Sequence, residues 1–285
     1  MEKSKSIKKF LIYVVLAALS IVFILPLVWM LITSLKSYSQ NLSYPPTFIP
    51  RPITFENYSY GLFEFINFFK YFGNSVFITL IGVVITMFSA TFVAYGFARI
   101  KVRENKYLFW IVLATMMLPT HITMISSYVI WSKLGVLNGG MNGFTSYIPL
   151  LIGSLFGGSP FYIFLTRQFF AGIPKELEEA ACIDGCTPIM TYFKIFLPLS
   201  KPILATIVIF SFQGYWNDFM GPLIYVKDVN RYTLAQALTL FNMPHEVLWG
   251  PMMAASVVTI IPVMVLFAKF QKYFLGSITI SGIKG

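Results

Sequence analysis

Six stretches of this chain stay apolar for long enough to cross a bilayer, and that feature limits the fold more than any other. Covering about 30 Å of hydrocarbon takes about 20 helical residues. The runs at 10–35, 75–98, 108–131, 147–170, 203–226 and 251–270 all reach that length. Inside lipid no water serves the backbone, so a spanning segment forms a helix or joins a closed barrel. Barrel strands alternate apolar and polar residues over about ten positions, whereas these runs are continuously apolar. The expected fold is an all-α membrane protein, one transmembrane domain over 1–285 with six helices. Two runs carry interruptions: Gly157, Gly158 and Pro160 in the fourth, and Gln213, Asn217, Asp218 and Pro222 in the fifth. Such breaks survive at membrane depth only where protein or a wet cavity surrounds them.

Composition agrees, with 57% hydrophobic and 11% charged residues, against about 25% charged in an ordinary soluble domain. The net charge of +10 raises nucleic acid as a partner, but its distribution excludes that. Placed on alternate sides of six spans, the 21 Lys and Arg fall fifteen on one side and six on the other. The rich side includes Lys3, Lys5, Lys8 and Lys9, then Arg99, Lys101, Arg103 and Lys106, and also Arg167 and Lys175. The positive-inside rule then makes both termini and the 171–202 loop cytoplasmic. The first run is longer than a signal h-region and no small-x-small cleavage site follows it, so it is expected to stay as a span. No phosphate-binding G-x-x-x-x-G-K-[ST] loop, H-E-x-x-H pair or G-x-S-x-G elbow occurs. Cys182 and Cys186 have no His or second Cys pair beside them, so no metal site is expected.

The acid is concentrated in ELEEAACIDG, Glu176 to Gly185. Pro174 suits a first helical position, and Glu176, Glu178 and Glu179 follow where the helix dipole favours carboxylates. Gly185 suits a left-handed stop. Thr187 and Pro188 read as a second cap and first position, opening a helix that runs to Leu197 before Pro198 and Pro202. Leu177, Ala180, Ala181 and Asp184 are three or four apart and are expected on one face. A helix resting on lipid headgroups carries Lys and Arg on its polar side, and this one carries acid. It reads as a docking knob for another protein. The outer segment TLAQALTLFN, 233–242, reads as a short surface helix.

Glu179-Ala180-Ala181, three residues, Gly185, nine residues and Ile195-Phe196-Leu197-Pro198 together resemble the EAA loop of permease subunits in bacterial ABC importers. Phe55-Glu56-Asn57-Tyr58, Asn74-Ser75, Trp216-Asn217-Asp218-Phe219, Phe270-Gln271 and the closing Ile283-Lys284-Gly285 extend the resemblance to the sugar-importing branch. The resemblance implies a type I importer permease with its coupling loop at 171–202. Glu178, Glu179, Ala180, Ala181, Asp184, Gly185, Ile195, Leu197 and Pro198 would then form the ATPase-coupling surface. The tail residues Gly282, Lys284 and Gly285 would add a contact to the same ATPase. It also implies partners: a homologous, non-identical permease, two ATP-binding subunits that hold ATP and Mg, and an extracytoplasmic solute-binding protein. No cofactor would sit on this chain, which would be a multi-pass subunit of the bacterial cytoplasmic membrane and not itself an enzyme.

Tyr215, Trp216, Asn217 and Asp218 are the candidate translocation path. An aromatic ring beside amides and a carboxylate suits a sugar, the ring covering its apolar face and the polar groups bonding its hydroxyls. Equally, Asp218 and Asn217 can bond the backbone freed near Gly214 and Pro222, a purely structural role. The same machinery could carry a polyol or a sugar phosphate. A secondary transporter or channel would show inverted repeats and mid-membrane coupling carboxylates, and neither is visible.

Overall fold

The computed structural model describes residues 2–137 and 144–281, with side chains over 8–119, 122–137 and 145–271. Secondary structure among them is helical, apart from one isolated bridge between Asn242 and Val247. Among the described residues, four segments are long and apolar enough to cross a membrane: Lys8–Ser34, Phe68–Arg99, Thr145–Ala171 and Trp249–Gln271. The helices Pro188–Leu199 and Lys201–Trp216, bent by 79°, meet the same measure only when taken together as one broken span. The apolar run at 108–131 is two helices, Asn105–Thr115 and Thr120–Lys133, separated before the extended Pro119 (ψ 128°). Proline lacks the amide a continuous helix would need and disfavours helical dihedrals before it.

The run at 147–170 is also broken. Short turns lead to Gly157 and Gly158, with φ of +89° and +67°, and Pro160–Ala171 restarts behind a Ser159 cap that accepts from the Phe161 amide at 3.3 Å. The backbone freed at the break is served by one side chain of the helix Phe68–Arg99. Ser89 Oγ donates to the Ser154 carbonyl and accepts from the Gly157 amide at 3.1 Å. A Cβ on Gly158 would stand 2.7 Å from Thr86, so glycine permits both the turn and the close approach.

The chain divides into two units. One holds residues up to Lys70 with Ala237–Ile261. In it the buried Asn57 donates from Nδ2 to the carbonyls of Ser34 and Lys36 at 2.9 and 2.7 Å, satisfying the end of the first long helix. Ser34 and the Tyr58 hydroxyl bond at 2.8 Å. Lys36 is 2% exposed with its ammonium 4.5 Å from the centre of the Trp29 ring, and burial lowers its pKa. Phe241 is buried and stacked on Phe65 at 5.1 Å.

The other unit holds Tyr71–Gln236 and the residues from Pro262 on. Its interior is aromatic: Tyr95, Phe170, Tyr192 and Phe196 are buried together with Ala94 and Ile163. The Leu234 amide donates to Ser75 Oγ at 2.8 Å, and Gln236 Nε2 to the Val226 carbonyl at 3.1 Å. The expected surface helix within 233–242 is therefore corrected. Leu234–Ala237 is helical and is followed by a 3-10 turn, and Leu234, Gln236, Ala237 and Phe241 are buried. Periodicity in so apolar a segment marks a helix without saying which side meets water.

Candidate functional site

The acidic helix spans Glu176–Ile183. Its first helical position is Glu176, two residues later than the expected Pro174: Lys175 is the cap, with helical dihedrals (φ −72°, ψ −25°), and its carbonyl accepts from the Glu178 and Glu179 amides at 2.9 and 3.0 Å. Pro174 stands just ahead of that turn. At the far end Gly185 has φ +76°, the Cys186 amide reaches the Ala181 carbonyl at 2.9 Å, and the Gly185 amide reaches that of Cys182 at 3.0 Å. These two bonds make a Schellman stop. Thr187 then caps the next helix, its Oγ1 accepting from the Met190 amide at 3.3 Å with Pro188 in the first position. That helix passes through a π turn, Tyr192–Phe196, and continues over Leu197–Leu199, past the expected end at Leu197. Leu197 donates to the Tyr192 carbonyl.

The expected common face of the acidic helix is split. Ala181 is 3% exposed, while Leu177, Ala180 and Asp184 are exposed with Glu179 and Ile183. Successive helical residues point 100° apart, so Ala180 and Ala181 divide between outside and inside. Glu178 is half-buried on the inner side, facing Arg99.

Arg99 ends the long helix Phe68–Arg99, and its side chain is only 5% exposed. One Nη donates to the carbonyls of Phe170 and Ile173. The other lies 3.5 Å from Glu178 Oε2, and the guanidinium rests 4.9 Å from the centre of the Phe196 ring. One planar cation thus joins the end of Pro160–Ala171, the acidic helix and the helix that follows it. Only a forked guanidinium offers donors in that many directions at once. Sequence alone marks Arg99 as a topology-setting charge and misses this role; its place as the last residue of a long apolar helix, where cations favour the dipole, is the available signal.

Tyr192 and Phe196 fasten the second helix of the loop. Tyr95 and Phe196 meet edge to face at 4.9 Å, and Phe170 and Phe196 at 5.3 Å. The Tyr192 hydroxyl bonds Thr91 Oγ1 at 2.8 Å. Ile195 and Leu197 pack half-buried on this cluster, and Pro198 is exposed.

The 215–218 segment is placed differently from what a sugar-facing ring requires. Trp216 is 3% exposed, stacked on Phe212 at 5.4 Å and edge-on to Phe72 at 5.7 Å; its ring belongs to the packing. Tyr215 lies flush on Gly82, where a Cβ would come within 2.6 Å of the ring, with its hydroxyl 3.4 Å from Thr86 Oγ1. Asp218 Oδ1 accepts from the Gly221 amide at 3.0 Å, an amide in the first turn of the short helix Met220–Tyr225. Asn217 is exposed. The tail residues Gly282, Lys284 and Gly285 lie outside the described residues.

A family model described as binding-protein-dependent transport system inner membrane component matches residues 89–279. The chain belongs to this family. The arabinooligosaccharides transport system permease protein AraQ of Halalkalibacterium halodurans is 30% identical over 286 residues, covering 100% of this chain and 99% of the relative. The diacetylchitobiose uptake system permease protein DasC of Streptomyces coelicolor is 30% identical over 92% of each chain. The maltose/maltodextrin permease protein MalG of Vibrio vulnificus is 31% identical over 74% of this chain and 71% of its own. Among solved structures, a bacterial ABC transporter involved in import of the acidic polysaccharide alginate superposes with a TM-score of 0.82. It is 25% identical, covering 95% of this chain and 98% of that one. This chain is therefore an ABC permease, a multi-pass membrane transport subunit. The stretch matched by the family takes in Arg99, the acidic helix and the Tyr215–Asp218 segment alike.

Proposed function

We propose that this permease forms the translocation path for a sugar in an ATP-driven importer and receives its driving motion through the acidic helix Glu176–Ile183. The observation that carries this is the helix's two-sidedness. Glu179, Ala180, Asp184 and Ile183 are presented outward, while Ala181, Glu178 and the cluster of Arg99, Tyr192 and Phe196 secure it from behind. A surface so mounted passes a push to the long helices instead of absorbing it.

In this reading six spans cross the membrane, with Asn105–Thr115 and Thr120–Lys133 together forming the third and both termini cytoplasmic. The carriers of the socket are two ATP-binding subunits, which hold ATP and Mg. A homologous second permease completes the path, and an extracytoplasmic binding protein delivers the solute. Glu179 and Asp184 give polar direction to the docked helix, and Ala180 allows close approach. Gly185 sets the elbow, while Ile195 and Leu197 brace it from within and Pro198 closes it. The tail around Gly282, Lys284 and Gly285 adds a further ATPase contact. On the path, Asn217, Asp218 and the edge of Tyr215 meet the solute, with Trp216 supporting them. A sugar is favoured because the relatives named above carry arabinooligosaccharides, diacetylchitobiose and maltose. Glu179→Lys is expected to abolish both ATPase association and uptake in membrane vesicles. Intact association with intact uptake would refute the docking role.

A further inference from the structure

A cavity of about 440 Å³ lies between the helix Asn105–Thr115 and the end of Pro160–Ala171, with Lys106 and Arg167 in its lining and no carboxylate. We propose that it binds the phosphate of an anionic phospholipid headgroup. This rests on the membrane reading of these helices and on nothing about the solute or the ATPase.

Arg167 is held open for a ligand. Its guanidinium lies 4.1 Å from the centre of the Phe109 ring, and Nε donates to the Phe97 carbonyl at 3.4 Å. Neither Arg167 nor Lys106 makes an ion pair among the described residues. The stack and the Nε bond fix the plane of the fork, leaving its terminal nitrogens to an outside acceptor such as a phosphate, which takes a guanidinium bidentately. Phe109 is itself buried and stacked on Phe164 at 6.4 Å, so the floor under the cation is rigid. The neighbouring Asn105 amide is already used, donating to the carbonyls of Gly96 and Ile100.

The cavity's outer wall decides which phosphate. Trp110 and Leu113 line it, and the same helix exposes Tyr107, Leu108, Trp110 and Ile111, the last two at 62%. Tryptophan at the end of an apolar surface marks the headgroup level, and basic pockets between spans take anionic headgroups. Free phosphate would leave that apolar wall bare, whereas a phospholipid brings acyl chains to cover it.

The test uses the full-length chain purified in detergent, titrated with phosphatidylglycerol, phosphatidylcholine of the same acyl chains, and inorganic phosphate, and read by native mass spectrometry. Phosphatidylglycerol is expected to bind preferentially, by about fivefold for each cation, the ordinary strength of a basic side chain at an anionic surface. Lys106→Gln, on an exposed side chain, should lose about one such factor. Arg167→Gln should lose at least as much, and Arg167→Lys should recover part of it. Equal retention of the two lipids, or a preference that survives Lys106→Gln and Arg167→Gln together, overturns the proposal. Displacement of the lipid by millimolar inorganic phosphate assigns a free-anion site and also overturns it. So does a photo-crosslinker replacing Trp110 that captures protein in place of lipid in native membranes. None of these outcomes bears on the ATPase socket, which Glu179→Lys tests separately.

Discussion

Replacing Arg99 by methionine removes a cation that ties three elements together, and its cost can be built up contact by contact. The carbonyls of Phe170 and Ile173 lose charge-assisted donors, at about 1.5 to 3 kcal/mol each where the acceptor stays buried. The contact with Phe196 adds about 0.5 to 1 kcal/mol. The Glu178 partner is 35% exposed at 3.5 Å, so solvent screening holds that pair to about 0 to 1 kcal/mol. Methionine recovers some packing because it fills irregular space well. The net expectation is about 3 to 5 kcal/mol, concentrated on the joint between Phe170 and the acidic helix. Hydrogen exchange on the reconstituted permease reads this directly, because local opening sets amide protection. Amides over 173–186 should exchange about 100-fold faster or more in Arg99→Met, at about tenfold per 1.4 kcal/mol. Glu178→Gln leaves both carbonyl bonds in place and should change the same amides less than about fivefold. The ordering of these two variants is the discriminating result. Equal effects, or Arg99→Met within about threefold of wild type, would mean that the aromatic cluster alone holds the loop and that the clamp reasoning is wrong.

Gly185→Ala should destabilise the loop by about 1 to 2 kcal/mol through backbone strain alone, since φ is +76° and no atom lies within 4 Å of an added Cβ. Gly185→Asn should cost less than Gly185→Ala, and thermal unfolding midpoints of the two would check the order. Asn57→Ala leaves the carbonyls of Ser34 and Lys36 without their donor, about 2 to 4 kcal/mol in all; limited proteolysis of the 36–60 segment should accelerate accordingly. Tyr192→Phe keeps the ring and removes only the 2.8 Å bond to Thr91, whose Oγ1 still donates to Met87, so a loss of about 0.5 to 1.5 kcal/mol is expected. Denaturant unfolding of Tyr192→Phe beside wild type would check it.

What could be seen in the sequence follows the range of the forces involved. Apolar length is a property of a segment alone, so the long helices were legible from composition, and Gly185 with Thr187 and Pro188 was legible because capping couples residues only two to five apart. The break at 157–158 was visible as glycines, yet its stabiliser was not: Ser89, 65 positions from Ser154, is an ordinary serine within an apolar helix until the two backbones meet. Arg99 poses the same problem, since its value depends on carbonyls 71 and 74 positions away. The Tyr215–Asp218 segment makes the sharpest case. Its aromatic, amide and acid residues have the chemistry of a sugar contact, but helical rotation and one distant ring, Phe72, turn Trp216 inward. Residue type says what a side chain could bind, and only tertiary packing says which way it faces. The acidic helix escaped most of that ambiguity, because several carboxylates brought together cannot be buried in an apolar bundle without partners: Glu176 and Glu179 do face outward, while Glu178 turns inward only because Arg99, which the sequence does not place beside it, is there to meet it.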